Sequence, residues 1–321
     1  MDTRSKRNDL TRRQFVRLVA ITGLGAALAS CGDGGASAPE KTRREAPPPT
    51  GSQAYLAVAR GGDPGAITRA AMAEIGGIER FVKAGDEVIV KPNICVDYRT
   101  YEYGATTNPE VVAALVELCL GAGAGRVRVM DTPFGGTPEN AYARSGIADA
   151  VASAGGEMEV MNRAKFKKTA IPEGRDITRW PVYQDVLTAD VLIDVPVAKH
   201  HSLARLSLAG KNLLGIVGSP NELHANLGQR VADVVSLVRP TLTVVDAVRT
   251  LMKHGPTGGN LDDVRQADTV IASHDIVAAD AYAATLFDLS GEEIAYVKAA
   301  ADMGLGTLDL QTIKVQEIAA G

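Results

Sequence analysis

The sequence predicts an α/β fold, with a mostly parallel β-sheet flanked by helices in Rossmann-like layers as a single large domain over residues 54–321. Three observations carry this reading. Short β-rich runs recur along the chain, segments with helical periodicity separate them, and most of the runs are continuously apolar rather than alternating. Continuous apolar runs are what parallel strands covered on both faces require.

Taken in chain order, the candidate strands are Tyr55–Ala59, Glu87–Lys91, Val127–Asp131, Met158–Met161, Val191–Val195, Leu242–Asp246 and Thr269–Ala272. Asn108-Pro109 marks a helix start, with a capping side chain followed by proline at the first helical position. Val111, Leu115 and Leu118, with Val112, Val116 and Cys119, then form its apolar stripe. Asn226 is positioned to cap a second helix, whose Leu227, Val231, Val234, Val235 and Val238 share a face and which stops at Pro240. A third helix runs from about Ile276 to Phe287. Gly121-Ala-Gly-Ala-Gly125 resembles a dinucleotide-binding loop, but it follows a helix and precedes a strand, the reverse of what phosphate binding needs. It reads as a helix terminator and tight turn.

Ahead of the domain lie two further segments. Residues 1–31 read as a signal peptide: Thr11-Arg12-Arg13-Gln14-Phe15 resembles a twin-arginine export signal, and Leu28-Ala29-Ser30-Cys31 a lipoprotein processing box. The apolar run from Leu18 to Leu28 is about half the length that spans a bilayer, so it reads as the core of a cleaved signal. The expectation is export by the twin-arginine translocase, lipidation of Cys31 and membrane anchoring facing the periplasm or cell exterior. Residues 32–53, rich in Gly, Ser, Ala and Pro and ending near Pro47-Pro48-Pro49, read as a tether.

A net charge of −4 with no basic stripe argues against nucleic acid as a partner. Of three cysteines, lipidation of Cys31 leaves Cys95 and Cys119, too few for an iron–sulfur or zinc spacing, with a single bridge between the two left open.

The chemistry gathers where strands end. Glu87–Lys91 runs into Pro92-Asn93, Val127–Asp131 into Thr132-Pro133-Phe134-Gly135-Gly136, and Val191–Val195 into Pro196-Val197-Ala198-Lys199-His200-His201. Lys211-Asn212 follows soon after, and Leu242–Asp246 leads toward His254-Gly255-Pro256. In an open parallel sheet these ends share one edge, where such folds bind ligands. Lys91, Asn93, Lys211 and Asn212 are candidate anion- or substrate-binding residues, and Lys199, His201 and His224 candidate catalytic ones. His201, His224, His254 and Asp246 are candidate ligands for a divalent metal, although their spacing matches no local metal motif. His200 and His201 point opposite ways in an extended chain, so one enters a pocket. Asp131 and Asp280 are read as carboxylates that support the site from behind, Asp280 because it lies on an apolar helical stripe.

These strings also carry a family resemblance. Lys91-Pro92-Asn93, the Asn108-Pro109 helix start, Pro196-Val197-Ala198-Lys199-His200-His201, Lys211-Asn212 with Gly215, the isolated His224, Asp246, Gly255-Pro256 and Ser273–Asp280 follow one another as in the DUF362 family, over roughly Tyr55 to Leu305. The resemblance implies that Lys91, Asn93, Lys199, His201, Lys211, Asn212, His224, Asp246, Gly255, Pro256 and Asp280 occupy the family's characteristic positions. Many relatives carry ferredoxin-like cysteine clusters, which this chain lacks, so no iron–sulfur cluster is expected. The leading expectation is an enzyme acting on a small anionic substrate in a Lys/His/Asp pocket. A metal- or cofactor-binding protein and a non-catalytic solute-binding lipoprotein are the alternatives.

Overall fold

A computed structural model of the chain describes residues 43–320. The twin-arginine string and Cys31 lie outside the described residues. Among the described residues no helix is long and apolar enough to cross a membrane.

Twelve strands occur among these residues: β1 (Leu56–Arg60), β2 (Glu87–Pro92), β3 (Arg126–Val129), β4 (Glu157–Met158), β5 (Phe166–Ala170), β6 (Arg179–Tyr183), β7 (Val191–Val195), β8 (Val197–His201), β9 (Arg205–Ser207), β10 (Leu242–Leu251), β11 (Val264–Ser273) and β12 (Val315–Ala319). The main sheet runs β12-β1-β11-β10-β7-β2-β3-β4, with β8 paired to β10 and β9. Neighbours from β10 through β4 are parallel, whereas β11 lies antiparallel to both β10 and β1. The fold is therefore the expected mostly parallel sheet in an α/β domain. β5 and β6 form a separate antiparallel pair.

Side chains alternate between two buried layers. Val88, Val90, Val191 and Ile193 pack on one face with α1 (Pro64–Glu74) and α2 (Pro109–Gly121). Ile89, Leu192 and Val245 pack on the other face with α7 (Leu227–Val238), α8 (Ile276–Thr285) and α9 (Ala295–Asp302). The intervening α3 (Pro138–Ser145), α4 (Ile147–Ser153), α5 (Gln184–Thr188) and α6 (Ala209–Asn212) are short. Every second strand residue faces each layer, which is why both kinds of position must be apolar.

Several local expectations are met. Asn108 accepts the amide of Glu110 at 2.9 Å, with Pro109 opening α2. The glycine loop joins α2 to β3, and a Cβ at Gly125 would stand 2.9 Å from Gly85 O, so close backbone packing accounts for glycine there. Other expectations are corrected. Asn226 precedes α7 but gives no side-chain cap, because its amide donates to Asp176 at 2.7 Å instead. The run expected at Met158–Met161 is a strand only at Glu157–Met158. β10 does not stop at Asp246: its carboxylate accepts the amides of Asn108 and Val248, so the chain continues extended to Leu251. The end of the expected tether lies against the domain, where Arg44 pairs with Asp86 at 2.8 Å and Arg80 donates to Pro47 O at 3.0 Å.

Candidate functional site

The strand ends of β2, β3 and β8 meet α6 and the turn around His224 at a cavity of about 210 Å³. Lys91, Asn93, Asp131, Lys199, His201, Lys211, Asn212 and His224 all line it, joined by Cys95 and Thr132. A larger cavity of about 420 Å³ lies at the other edge of the sheet, between Thr241, His274 and residues 43–46. Its lining of Val235, Leu237, Val238, Ile276 and Leu305 brings none of the candidate residues together, so the candidate site is the smaller one.

Lys91 forms the floor. Its ammonium is fully buried, donates to Asn212 Oδ1 and Pro92 O at 2.9 Å each, and is ion-paired with Asp131 Oδ1 at 2.8 Å. A lysine has three donors and no more. Lys91, expected to bind an anion, is thus engaged with internal partners. Asn212 is equally committed: its amide nitrogen donates to Asp194 Oδ1 at 2.8 Å and Lys91 O at 3.2 Å, and its oxygen also accepts from Asn93. Burial pushes Asp131 above the usual carboxylate range, while Lys91 and the Ile94 amide pull it back. Asp194 is pushed up further, again by burial, and its Oδ2 has no hydrogen-bond partner among the described residues.

Two further ammonium groups differ from Lys91 in kind. Lys199, on β8, donates to Asn93 Oδ1 at 2.9 Å and to Ala105 O at 2.6 Å, with the Cys95 thiol beside it. No carboxylate is in ion-pair contact with it, and burial lowers its pKa against the pull of Cys95 and the more distant Asp131. Lys211, on α6, has no hydrogen-bond or ion-pair partner among the described residues. Burial, then the nearby Lys199, brings it down to about 8. α6 is held in place by Asp280 of α8, whose two oxygens accept the amides of Ala209 at 2.7 Å and Gly210 at 2.9 Å. Burial pushes Asp280 up to about 7 against those two donors.

Of the paired histidines, His201 enters the cavity. His200 instead accepts the Gly255 amide at 3.1 Å. β8 turns tightly into β9, and the His201 ring sits over that turn, accepting the amides of Leu203 and Ala204. Burial, with Lys211 and Lys199 nearby, lowers His201 to about 3. His224 stacks near it with ring centroids 6.4 Å apart.

The expected metal set is not brought together. His254 is exposed and paired with Asp263 at 2.7 Å, and Asp246 is spent on two backbone amides away from the cavity. Among the described residues no group of three His, Cys, Asp or Glu is placed to hold a metal ion. Cys95 and Cys119 are both free thiols, which closes the question of a bridge. Sequence reasoning passed over Asp194, although an acid inside the run Val191–Val195 was the available signal, since a buried carboxylate needs partners.

A sequence profile of the family described as "Domain of unknown function (DUF362)" matches residues 88–285. A thylakoid-associated protein of Synechocystis sp. is 27% identical over 257 residues, covering 75% of each chain. Among solved structures, lactate racemase apoprotein from Thermoanaerobacterium thermosaccharolyticum aligns with a TM-score of 0.41 at 12% identity over 76% of this chain. A Thermotoga maritima protein aligns with the same score, identity and coverage. The matched region spans 56% and 60% of those two chains.

Proposed function

We propose that this chain, which belongs to the DUF362 family, is an exported, lipid-anchored enzyme acting on a small anionic substrate bound at the C-terminal edge of its sheet. The observation that carries the proposal is the uneven treatment of three lysines around one cavity. Lys91 is paired with Asp131, whereas Lys199 and Lys211 face the same space with no carboxylate in ion-pair contact among the described residues. Two unmatched positive charges in a half-closed, low-dielectric space favour an incoming anion strongly. Lys211 contacts the anion, Lys199 adds to the field, and His201 and His224 at the same opening serve its proton chemistry. The cavity is smaller than the ~300–1,000 Å³ of drug-sized sites, so the substrate has few atoms. Attachment through Cys31 rests on the processing box, and the relative named for its thylakoid association is in keeping with a place at a membrane.

Calorimetric titration with inorganic phosphate, sulfate and malonate tests the pocket. At least one should bind, and Lys211→Ala should weaken it by about tenfold or more, the worth of one charge-assisted hydrogen bond. Absence of binding, or an unchanged Lys211→Ala, refutes the proposal. Cell fractionation tests the address: Cys31→Ala should leave the membrane fraction, and Arg12→Lys with Arg13→Lys should block export.

A further inference from the structure

The backbone partners of the two histidines at the cavity favour opposite tautomers. His201 Nδ1 lies 3.1 Å from the Leu203 amide and 3.2 Å from the Ala204 amide. A backbone N–H only donates, so Nδ1 is bare and the ring proton sits on Nε2. His224 Nδ1 lies 3.1 Å from Asn221 O. A carbonyl only accepts, so this Nδ1 carries the proton, and Nε2 is where a proton is gained or lost. The rings are 24° from parallel with centroids 6.4 Å apart, and both line the cavity beside Lys211. One small molecule can therefore reach both.

We infer that His224 is the proton acceptor and His201 a fixed hydrogen-bond donor in a single proton-abstraction step, and that the substrate is a small anion carrying a carbonyl-type oxygen next to the proton removed. The inference rests on the anion-pocket reading above. His224 Nε2 takes the proton; the substrate's bond to hydrogen breaks and its electron pair stays on the substrate, spreading onto the oxygen. That oxygen meets the His201 Nε2–H and the Lys211 ammonium, while His224 becomes an imidazolium steadied by Asn221 O. Return of the proton restores the ring, so no oxidant or further reactant is required. His201 cannot exchange roles with His224. A proton on its Nδ1 would confront two amide protons and leave both amides unpaired, and the two nearby lysines oppose a positive charge on the ring. A neutral N–H already in position suits an oxygen that gains charge only during reaction.

The test is long-range proton–nitrogen correlation on the full-length chain labelled with 15N-histidine, its five histidines assigned with His201→Gln and His224→Gln. His201 should show the Nε2–H tautomer without titrating between about pH 5 and 8, and neutral His224 should show Nδ1–H. A titrating His201, or either ring in the other tautomer, overturns the assignment. Inorganic phosphate provides the second arm. His201→Gln, which keeps a donor near the Nε2 position, should hold phosphate affinity within about threefold, while His201→Leu should lose about tenfold. Equal losses overturn the donor role. Phosphate binding without the tautomer pattern removes this inference alone; the pattern without any anion binding removes the anion pocket and the substrate class with it.

Discussion

Lys91→Met separates the lysine that builds the pocket from the lysines that serve it. Methionine keeps the stem and deletes the charge. Asp131, 3% exposed, then loses its 2.8 Å partner and keeps the Ile94 amide at 2.7 Å. Breaking one side of a buried pair costs about 3–5 kcal/mol, because the remaining charge is stranded out of water. Asn212 Oδ1 still accepts from Asn93, so only Pro92 O is newly unpaired, adding about 1 kcal/mol. A loss of about 4–6 kcal/mol is a large share of the 5–15 kcal/mol that holds a typical protein folded, and at about 2–4 °C per kcal/mol it lowers Tm by roughly 8–24 °C. The deficit also depends on pH. Burial already raises Asp131, and without Lys91 it rises further, so the native state binds more protons than the unfolded one. The variant is then nearest wild type at about pH 4 and falls behind as pH climbs through the raised folded value. Lys91→Met with Asp131→Asn removes both charges and should recover to within about 1–2 kcal/mol of wild type. Urea melts at two pH values decide the matter. A single variant costing under about 1 kcal/mol, or a double variant no better than the single, refutes the brace.

Lys211, lowered to about 8, should make sulfate affinity decline as pH rises through that value, since only the protonated ammonium binds. Lys211→Arg should flatten the profile because a guanidinium stays charged, and a flat wild-type curve between about pH 6.5 and 9.5 would count against the role. Asp280→Asn keeps one acceptor for two amides, so it should cost about 1.5–3 kcal/mol and weaken sulfate binding by loosening α6 under Lys211. The wild-type carboxyl, pushed up to about 7, withdraws stability as pH rises from about 4 toward 7; melts of the variant should lack that slope. Gly215→Ala places a Cβ 2.0 Å from Asp131 Oδ1 and 2.8 Å from Lys91 Nζ, so both members of the buried pair must move. A loss of about 1–3 kcal/mol or more is expected in the same melts, and a neutral result would mean the pair is looser than drawn.

The layered architecture was legible because doubly covered strands cannot hide: Val88–Val90 and Val191–Ile193 must be apolar at every position to fill two cores. The edge that carries the candidate site was legible for the same reason, since polar residues gather where those runs stop. What escaped the reading depended on distant partners. The pair β5–β6 shows Lys167 and Lys168 to solvent, and β12 carries the exposed Glu317, so neither has a core-like pattern. The reversed direction of β11 leaves no local mark. Asp246 looked like a strand end because acids favour turns, yet an amide from the start of α2 satisfies it within the strand. His254 looked like a ligand until Asp263 claimed it.

The three lysines pose the sharpest form of this difficulty, since each lies close after or at the end of a strand-like segment and nothing local distinguishes them. The distinction is made by Asp131, which is in ion-pair contact with Lys91 and acts on Lys199 only from farther away. Burying a lysine is costly unless a counter-charge accompanies it, and the fold supplies one only at the floor. Lys199 is surrounded by neutral oxygens that satisfy its protons but not its charge. Lys211 has not even those. A requirement for stability explains the first lysine and leaves the other two as a standing penalty on the folded state. Folds tolerate such a penalty chiefly where binding relieves it. On the proposed function the charge that relieves it is negative and small enough for the cavity, and on the tautomers inferred above it meets one imidazole set to donate and another set to accept.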